Sequence, residues 1–375
     1  MKPVAFIDLF CGMGGFTVGG INAGARCILA VDYWVMKGYR IDEACRVHLA
    51  NHPEVPVKCI ELGHPDQWRE FKALVDEWRA RGYHIHIHGS PPCQALSNAS
   101  QRDASEGMPL VLWYLDLVER CEPDSWSMEN VVPVRKRLPE GIPSVVLNSA
   151  DFGVPQTRRR CYAGEGWIAD PTHSKEEWVG VIDALPHLAD ELVGFAKPPS
   201  MENHWREMGA DEPFPTVTSQ SIAQHKLLMD SGRASAATTG VNPRNGKKEG
   251  GSGPLFRTLD QPSYTTMSSP RSIMVNTAGC GNSTSKGGVT RDSPIQSPTK
   301  TLHNNQPTLR DTTEKPQKIR SLTLPETLTL QGFEPDYDLS AARTMKSRWT
   351  MVGNAVPPPV AEAVIRGIAH GKVHG

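Results

Sequence analysis

Apolar and polar positions follow two regimes along this chain of 375 residues. Up to about residue 166, short apolar runs take turns with stretches of helical period; beyond that the pattern fades. Residues 4–10, VAFIDLF, are apolar apart from Asp8, as in a strand buried on both faces. Glycines at 12, 14 and 15 follow at once, then a predicted helix over 16–23 and a second strand over 27–31 that closes on Asp32. Helical period returns at 42–52 and 66–81. Residues 83–88 alternate as a strand, with His84, His86 and His88 on one face. A helix over 110–120 leads to a strand over 125–128 that delivers Glu129 and Asn130, and 145–147 reads as another strand. Only about a dozen residues separate ENV (129–131) from that strand, too few for a full crossover helix, so a trimmed connection is expected. A last helix is predicted over 360–370. Strands alternating with helices predict an α/β fold with a doubly wound, mostly parallel sheet.

From Trp167 to about residue 319, Gly, Ser, Thr, Pro and Asn dominate. Three stretches echo one another there: EPFPTVTSQ (212–220), LDQPSYTTMSSPR (259–271) and SPTKTLHNNQPTLR (297–310). Each has a proline followed by threonines, a degenerate turn-plus-strand repeat that an irregular, β-rich domain can use. The expected organisation is therefore one domain from 1–166 plus 345–375 and a second over 167–344, with the 320–337 block at its base. Charge sharpens this division. The net charge is −1, yet residues 231–320 hold 13 Lys and Arg against 5 Asp and Glu. That local excess is the electrostatic footprint of a nucleic-acid partner, which the whole-chain figure hides.

The eight cysteines form no CxxC pair and no zinc-ligand spacing, so they read as reduced thiols rather than a disulfide frame. No apolar run reaches 18 residues and the start of the chain lacks a signal-peptide plan. A soluble, cytoplasmic monomer without membrane or metal is expected. The three alternating histidines read as packed or hydrogen-bonded rather than metal-bound.

Candidate chemistry begins at GSPPCQALS (89–97). Pro91 and Pro92 fix two successive backbone angles, so Cys93 is presented in a nearly constant direction at the end of a strand. Immobilisation lowers the entropy lost at nucleophilic attack. The thiolate needs positive neighbours, because a free cysteine titrates near ~8.5. The Gly-rich first turn departs from the strict dinucleotide fingerprint, but with Asp32 it fits a nucleoside-type cofactor.

Six blocks occur in order: DLFCGMGGF (8–16), GSPPCQALS (89–97), ENV (129–131), QTRRR (156–160), RSLTLPETLTLQGF (320–333) and GNAVPPPVAEAV (353–364). Together they resemble the motif series of the phage and bacterial S-adenosylmethionine-dependent cytosine-5 DNA methyltransferases. The resemblance implies methylation at carbon 5 of a cytosine in double-stranded DNA, in a restriction-modification setting, with Cys93 adding to carbon 6. Glu129 would meet ring nitrogen 3, from a carboxyl held partly protonated by a dry pocket. Arg158 and Arg160, at alternate places, would favour the thiolate and donate to the base's carbonyl oxygen and a phosphate, with Arg159 turned away. Asn130 would secure the Cys loop or the strand end. Phe10, Gly12, Gly14 and Gly15 would line the cofactor's amino-acid and ribose side, Asp32 its hydroxyls, and Tyr33 or Trp34 its adenine. Asn354 would stand beside the methyl-transfer site. Gln94, Ser97 and Gln156 are expected on DNA, 97–108 as a lid, and 167–319 as the reader of sequence. Since a stacked cytosine offers neither face to a thiol, the base must be extruded. Two alternatives remain: an RNA cytosine-5 methyltransferase, and a DNA-binding regulator without turnover.

Overall fold

The computed structural model describes residues 2–33, 42–92, 108–188, 211–217 and 321–368; at 192–197, 206–209, 226–229, 235–239, 255–258, 272–275, 318–320 and 369 it describes the backbone alone. Two compact units emerge. The first comprises Met1–Val179, Pro213–Gln220 and Leu324–Gly375; the second comprises Gly180–Glu212 and Ser221–Thr323.

The first unit is built on a seven-stranded sheet. In chain order its opening elements are β1 (Val4–Leu9), α1 (Gly15–Asn22), β2 (Arg26–Asp32), α2 (Glu43–Asn51), β3 (Val57–Cys59), α3 (Trp68–Ala80), β4 (His84–Gly89), α4 (Pro109–Cys121) and β5 (Ser125–Asn130). β6 (Ser144–Asn148), β7 (Gln156–Thr157) and β8 (Arg159–Glu165) follow. The strand order is β3-β2-β1-β4-β5-β8-β6. The first five pair in parallel, while β8 runs antiparallel to both of its neighbours, β5 and β6. The strand order therefore reverses between β1 and β4, the switch point at which open α/β sheets bind ligands beyond their carboxyl ends.

Every residue of β1 is buried, Asp8 included, which is why the run from Val4 to Leu9 shows no polar–apolar alternation. One face of the sheet packs on α3 and α4 through Phe71, Val75, Val111 and Leu115. The other packs on α1 and the last helix, α8 (Pro358–Ala369), through Phe16, Val360, Val364 and Ile365. α1 and α8 approach so closely that a Cβ on Gly19 would stand 2.2 Å from the Pro358 carbonyl oxygen. The short path from β5 to β6 is a single 3₁₀ turn, Val132–Lys136, in place of a crossover helix, as its length requires.

The second unit holds α5 (Val181–Ala184) and two small antiparallel sheets. One contains β9 (Leu192–Lys197), β10 (Arg206–Gly209), β12 (Lys226–Met229) and β16 (Lys318–Ser321). The other contains β13 (Ser235–Thr239), β14 (Leu255–Thr258) and β15 (Ser272–Val275). The expected boundaries at 167 and 344 need correction, because three stretches beyond residue 166 fold with the first unit. Trp167 is buried, its indole N–H donating to the Trp126 carbonyl at 2.9 Å. β11 (Phe214–Pro215) pairs in parallel with β7. α6 (Leu324–Gln331) packs with α7 (Met345–Asn354), placing Leu328 in one cluster with Met13, Val47 and Met351. Composition marks where the chain changes character; it does not mark where short segments return.

Candidate active site

Strand ends gather the site. β1, β2, β4 and β5 all finish at one edge of the sheet, and β8, being antiparallel, begins there. Phe10, Asp32, Ser90 and Asn130 therefore line a single border together with Arg160.

The Gly turn opens this edge. Phe10 stands at φ +57° and meets Trp113 edge-on, with centroids 6.0 Å apart. Gly12 stands at φ +55° and donates its N–H to Asp32 Oδ2 at 2.7 Å. Among the described residues, a Cβ at Gly12 would meet nothing within 4 Å, so these leave room beside the carboxylate. Gly14 and Gly15 behave otherwise. A Cβ on Gly14 would lie 2.9 Å from the His48 ring, and one on Gly15 would lie 2.0 Å from the Val356 carbonyl oxygen. On that side both glycines serve close packing against protein. Asp32 also accepts the Tyr33 N–H, and burial pushes its carboxyl up to about 6 against the pull of those two donors. Tyr33 is half-buried just past β2; its rival Trp34 lies outside the described residues.

At the other end of the border, Asn130 donates from Nδ2 to the Pro91 carbonyl at 3.2 Å. This ties the start of the Cys loop to β5, the role expected of it. Cys93, Gln94, Ser97 and the lid stretch up to Gly107 lie outside the described residues. Beside Asn130, Glu129 is buried, with its Oε1 3.2 Å from Arg160 Nε. The contact is an ion pair without hydrogen-bond alignment: among the described residues, that oxygen accepts no hydrogen bond. Arg159 is exposed, as expected.

Arg158 and Gln156 depart from expectation. Arg158 is only 2% exposed, and its Nη1 donates to the carbonyls of Val217 at 3.0 Å and Gly353 at 2.9 Å. Gln156 is fully buried; its Nε2 donates to the Leu330 carbonyl and to Gln331 Oε1, while its Oε1 accepts the Val217 N–H. Gln331 in turn donates to the Ala355 carbonyl at 2.7 Å. These two side chains are internal clamps rather than groups presented to a base or a phosphate. Through Gly353 and Ala355 they fix the segment carrying Asn354, which is exposed at the end of α7.

Behind the turn, Asp8 is joined by Thr17, His48 and Tyr337, three partners that the local sequence pattern does not show. Asp8 accepts from the Thr17 hydroxyl at 2.8 Å, and Thr17 Oγ1 lies 3.0 Å from His48 Nε2. Tyr337 donates to the Met13 carbonyl. A lone acid inside VAFIDLF was the available signal. Desolvation raises Asp8 to about 7, offset only in part by Thr17. The folded state thus binds this proton more tightly than the unfolded chain. Asp8's contribution to stability is full below about pH 4 and is lost as the pH rises through about 7. Asp8→Asn should therefore gain on the native protein by about 2–4 kcal/mol across that window. Urea titrations at several pH values check this, and a pH-independent difference would refute it. Burial acts oppositely on His48, which it lowers to about 3.

A sequence model of the C-5 cytosine-specific DNA methylases matches residues 4–138 and 141–370. The chain belongs to this family. Among its methylase relatives, Type II methyltransferase M.AgeI of Thalassovita gelatinovora is 31% identical over 220 residues, covering 52% of this chain and 47% of the relative. M.HpaII of Haemophilus parainfluenzae is 29% identical over 180 residues, 43% of this chain and 45% of its own. The chain spans about half the length of these two curated relatives. M.MthTI of Methanothermobacter thermautotrophicus aligns along 96% of both chains at 25% identity. Among solved structures, a putative DNA modification methyltransferase encoded within an E. coli prophage covers 98% of this chain and 99% of its own, at 17% identity and a TM-score of 0.49. No helix among the described residues is long and apolar enough to cross a membrane.

Proposed function

We propose that this methylase transfers a methyl group from S-adenosylmethionine to carbon 5 of a cytosine extruded from double-stranded DNA. The observation that carries the reading is the convergence of Glu129, Arg160 and the Asn130-tethered Pro91 carbonyl at the carboxyl edge of the sheet. Pro91 lies two residues before the thiol that the chemistry needs.

Carbon 5 of cytosine is a weak nucleophile. Addition of the Cys93 thiolate to carbon 6 turns the ring into an enamine, whose carbon 5 attacks an electrophilic methyl. The sulfonium of the bound cofactor supplies that electrophile. Glu129 would meet nitrogen 3, where charge builds during addition, and Arg160 would donate to the carbonyl oxygen. The room beside Gly12 and the buried carboxylate of Asp32 fit a ribose, since a carboxylate holding two backbone donors still has lone pairs for hydroxyls. Phe10 and Tyr33 would border the same cofactor, and Asn354 the transfer site.

The basic segment 231–320 supplies the sequence-independent part of DNA affinity in this reading. Replacing several of its lysines and arginines should flatten the dependence of log K on log salt by about 0.9 for each phosphate no longer neutralised. An unchanged slope in binding titrations would count against it. The Type II names of its relatives support a modification role beside a restriction nuclease.

Incubation with methyl-labelled cofactor and either duplex DNA or transfer RNA tests the whole proposal. Label on cytosines of the duplex, followed by bisulfite sequencing, is the expected result. Label on transfer RNA alone would favour the RNA enzyme, and label on neither would leave the regulator.

A further inference from the structure

Three histidines of β4 and two serines of β5 interlock behind the Cys loop. Parallel pairing places His86 beside Ser125 and His88 beside Ser127. Because side chains of one strand face recur every second residue, all five point to the same side of the sheet. The resulting contacts form one unbroken file. His84 Nε2 lies 2.9 Å from Ser125 Oγ, which lies 2.8 Å from His86 Nδ1. His86 Nε2 lies 2.9 Å from Ser127 Oγ, which lies 2.8 Å from His88 Nδ1. His88 Nε2 lies 3.0 Å from Ser90 Oγ.

The file crosses the sheet from the amino end of β4 to the first residues of the Cys loop, a span of about 20 Å. Its middle is fully enclosed: His86, His88 and Ser127 have no exposed surface. Its two ends, His84 and Ser90, are partly exposed. Phe16 lies flat on the His88 ring, with centroids 3.6 Å apart and planes within 3°, and holds that ring in place. The outer mouth faces Asp124, Lys2 and Arg79.

We propose that this His–Ser file is a proton conduit linking the methyl-transfer site to solvent at the opposite edge of the sheet. A hydroxyl and a neutral imidazole each carry one donor and one acceptor, so every link can be satisfied in either direction. The file thus has two complete arrangements, one with every donor aimed at the Cys loop and one with every donor aimed at His84. Desolvation supports the neutral state required, lowering His86 to about 3 and His88 well below the usual imidazole range.

The proposal rests on the methyl-transfer reading, which generates the proton. Replacing hydrogen by methyl at carbon 5 breaks a C–H bond whose electron pair returns to the ring as the thiolate leaves carbon 6. One proton per turnover must leave. Received at Ser90 Oγ, it displaces the serine's own proton onto His88 Nε2. His88 passes its Nδ1 proton to Ser127, and His86 and Ser125 repeat the exchange. His84 then releases one proton to water. Each imidazole ends in its other tautomer. The return stroke follows product release, when bulk water reaches both ends, and moves one proton from bulk to bulk.

His84→Gln tests this at the partly exposed mouth. Glutamine keeps a hydrogen bond to Ser125 but has no second nitrogen to pass a proton through. With duplex DNA tritiated at cytosine carbon 5, single-turnover release of tritium should slow about tenfold or more, and its solvent deuterium isotope effect should change. Formation of the trapped adduct on 5-fluorocytosine DNA, which requires no proton loss from carbon 5, should be unaltered. A ladder that only packs the core would leave His84→Gln silent in tritium release, which would overturn the proposal. Nitrogen-15 spectra of the histidines in the native protein provide a check free of any variant. His86 and His88 must share the same tautomer sense, and opposed tautomers meeting at Ser127 would overturn the conduit while leaving methyl transfer intact. A native protein that releases no tritium from cytosine would instead overturn the methyl-transfer reading, and the conduit's role with it.

Discussion

Cys93→Ala is expected to lower methyl transfer by about 10⁴-fold or more, as removal of a covalent nucleophile does, while duplex binding stays within about twofold of native because phosphate contacts dominate affinity. The alanine removes only the sulfur that, in the proposed mechanism, would make carbon 5 reactive. The remaining machinery, Glu129 paired with Arg160 and the Asn130 tether on Pro91, stays as it is. The direct check is DNA containing 5-fluorocytosine: the native protein with cofactor should form a denaturation-resistant adduct, and the variant should form none. Near-normal methylation by the variant would refute the assignment of the thiol.

The second large effect separates two arginines two positions apart. Arg158→Ala leaves the buried carbonyls of Val217 and Gly353 without their donor. At about 1–3 kcal/mol for each group stranded, the fold should lose about 2–6 kcal/mol, a drop in melting temperature on the order of 10 °C. Arg160→Ala touches no such clamp. Its side chain is 17% exposed and faces Glu129, so the variant should melt within a few degrees of native. Its kcat/KM should nevertheless fall by about 10²-fold, the usual cost of removing a donor aimed at developing charge. Thermal melts beside steady-state kinetics distinguish them. Equal melting temperatures for the two variants would contradict the clamp.

Much of the site was legible in the sequence because it depends on covalent order and short-range pattern. The run VAFIDLF, the glycines after it and Asp32 at the end of the next apolar run specify a βαβ start and its carboxyl edge. The double proline before Cys93 constrains its loop whatever the surroundings. The brevity of the link after ENV alone forbids a crossover helix, and a 3₁₀ turn fills it.

Tertiary structure decided the rest, for two physical reasons. Strand parity holds only within one strand. Alternate spacing in QTRRR put Arg158 and Arg160 on one side, but β7 ends at Thr157 and β8 starts at Arg159, so Arg158 falls in the break and turns inward. Long-range partners are likewise invisible to local pattern. The sequence places three histidines on one face of β4, yet the serines that meet them lie about forty residues on and come into reach only through the β4–β5 register. In the same way, only the packed structure shows that the His48 ring and the Val356 backbone fill the space on one side of Gly14 and Gly15. The chain's chemistry is written in order along it; which side chains meet a substrate and which hold the fold depends on what packs against them.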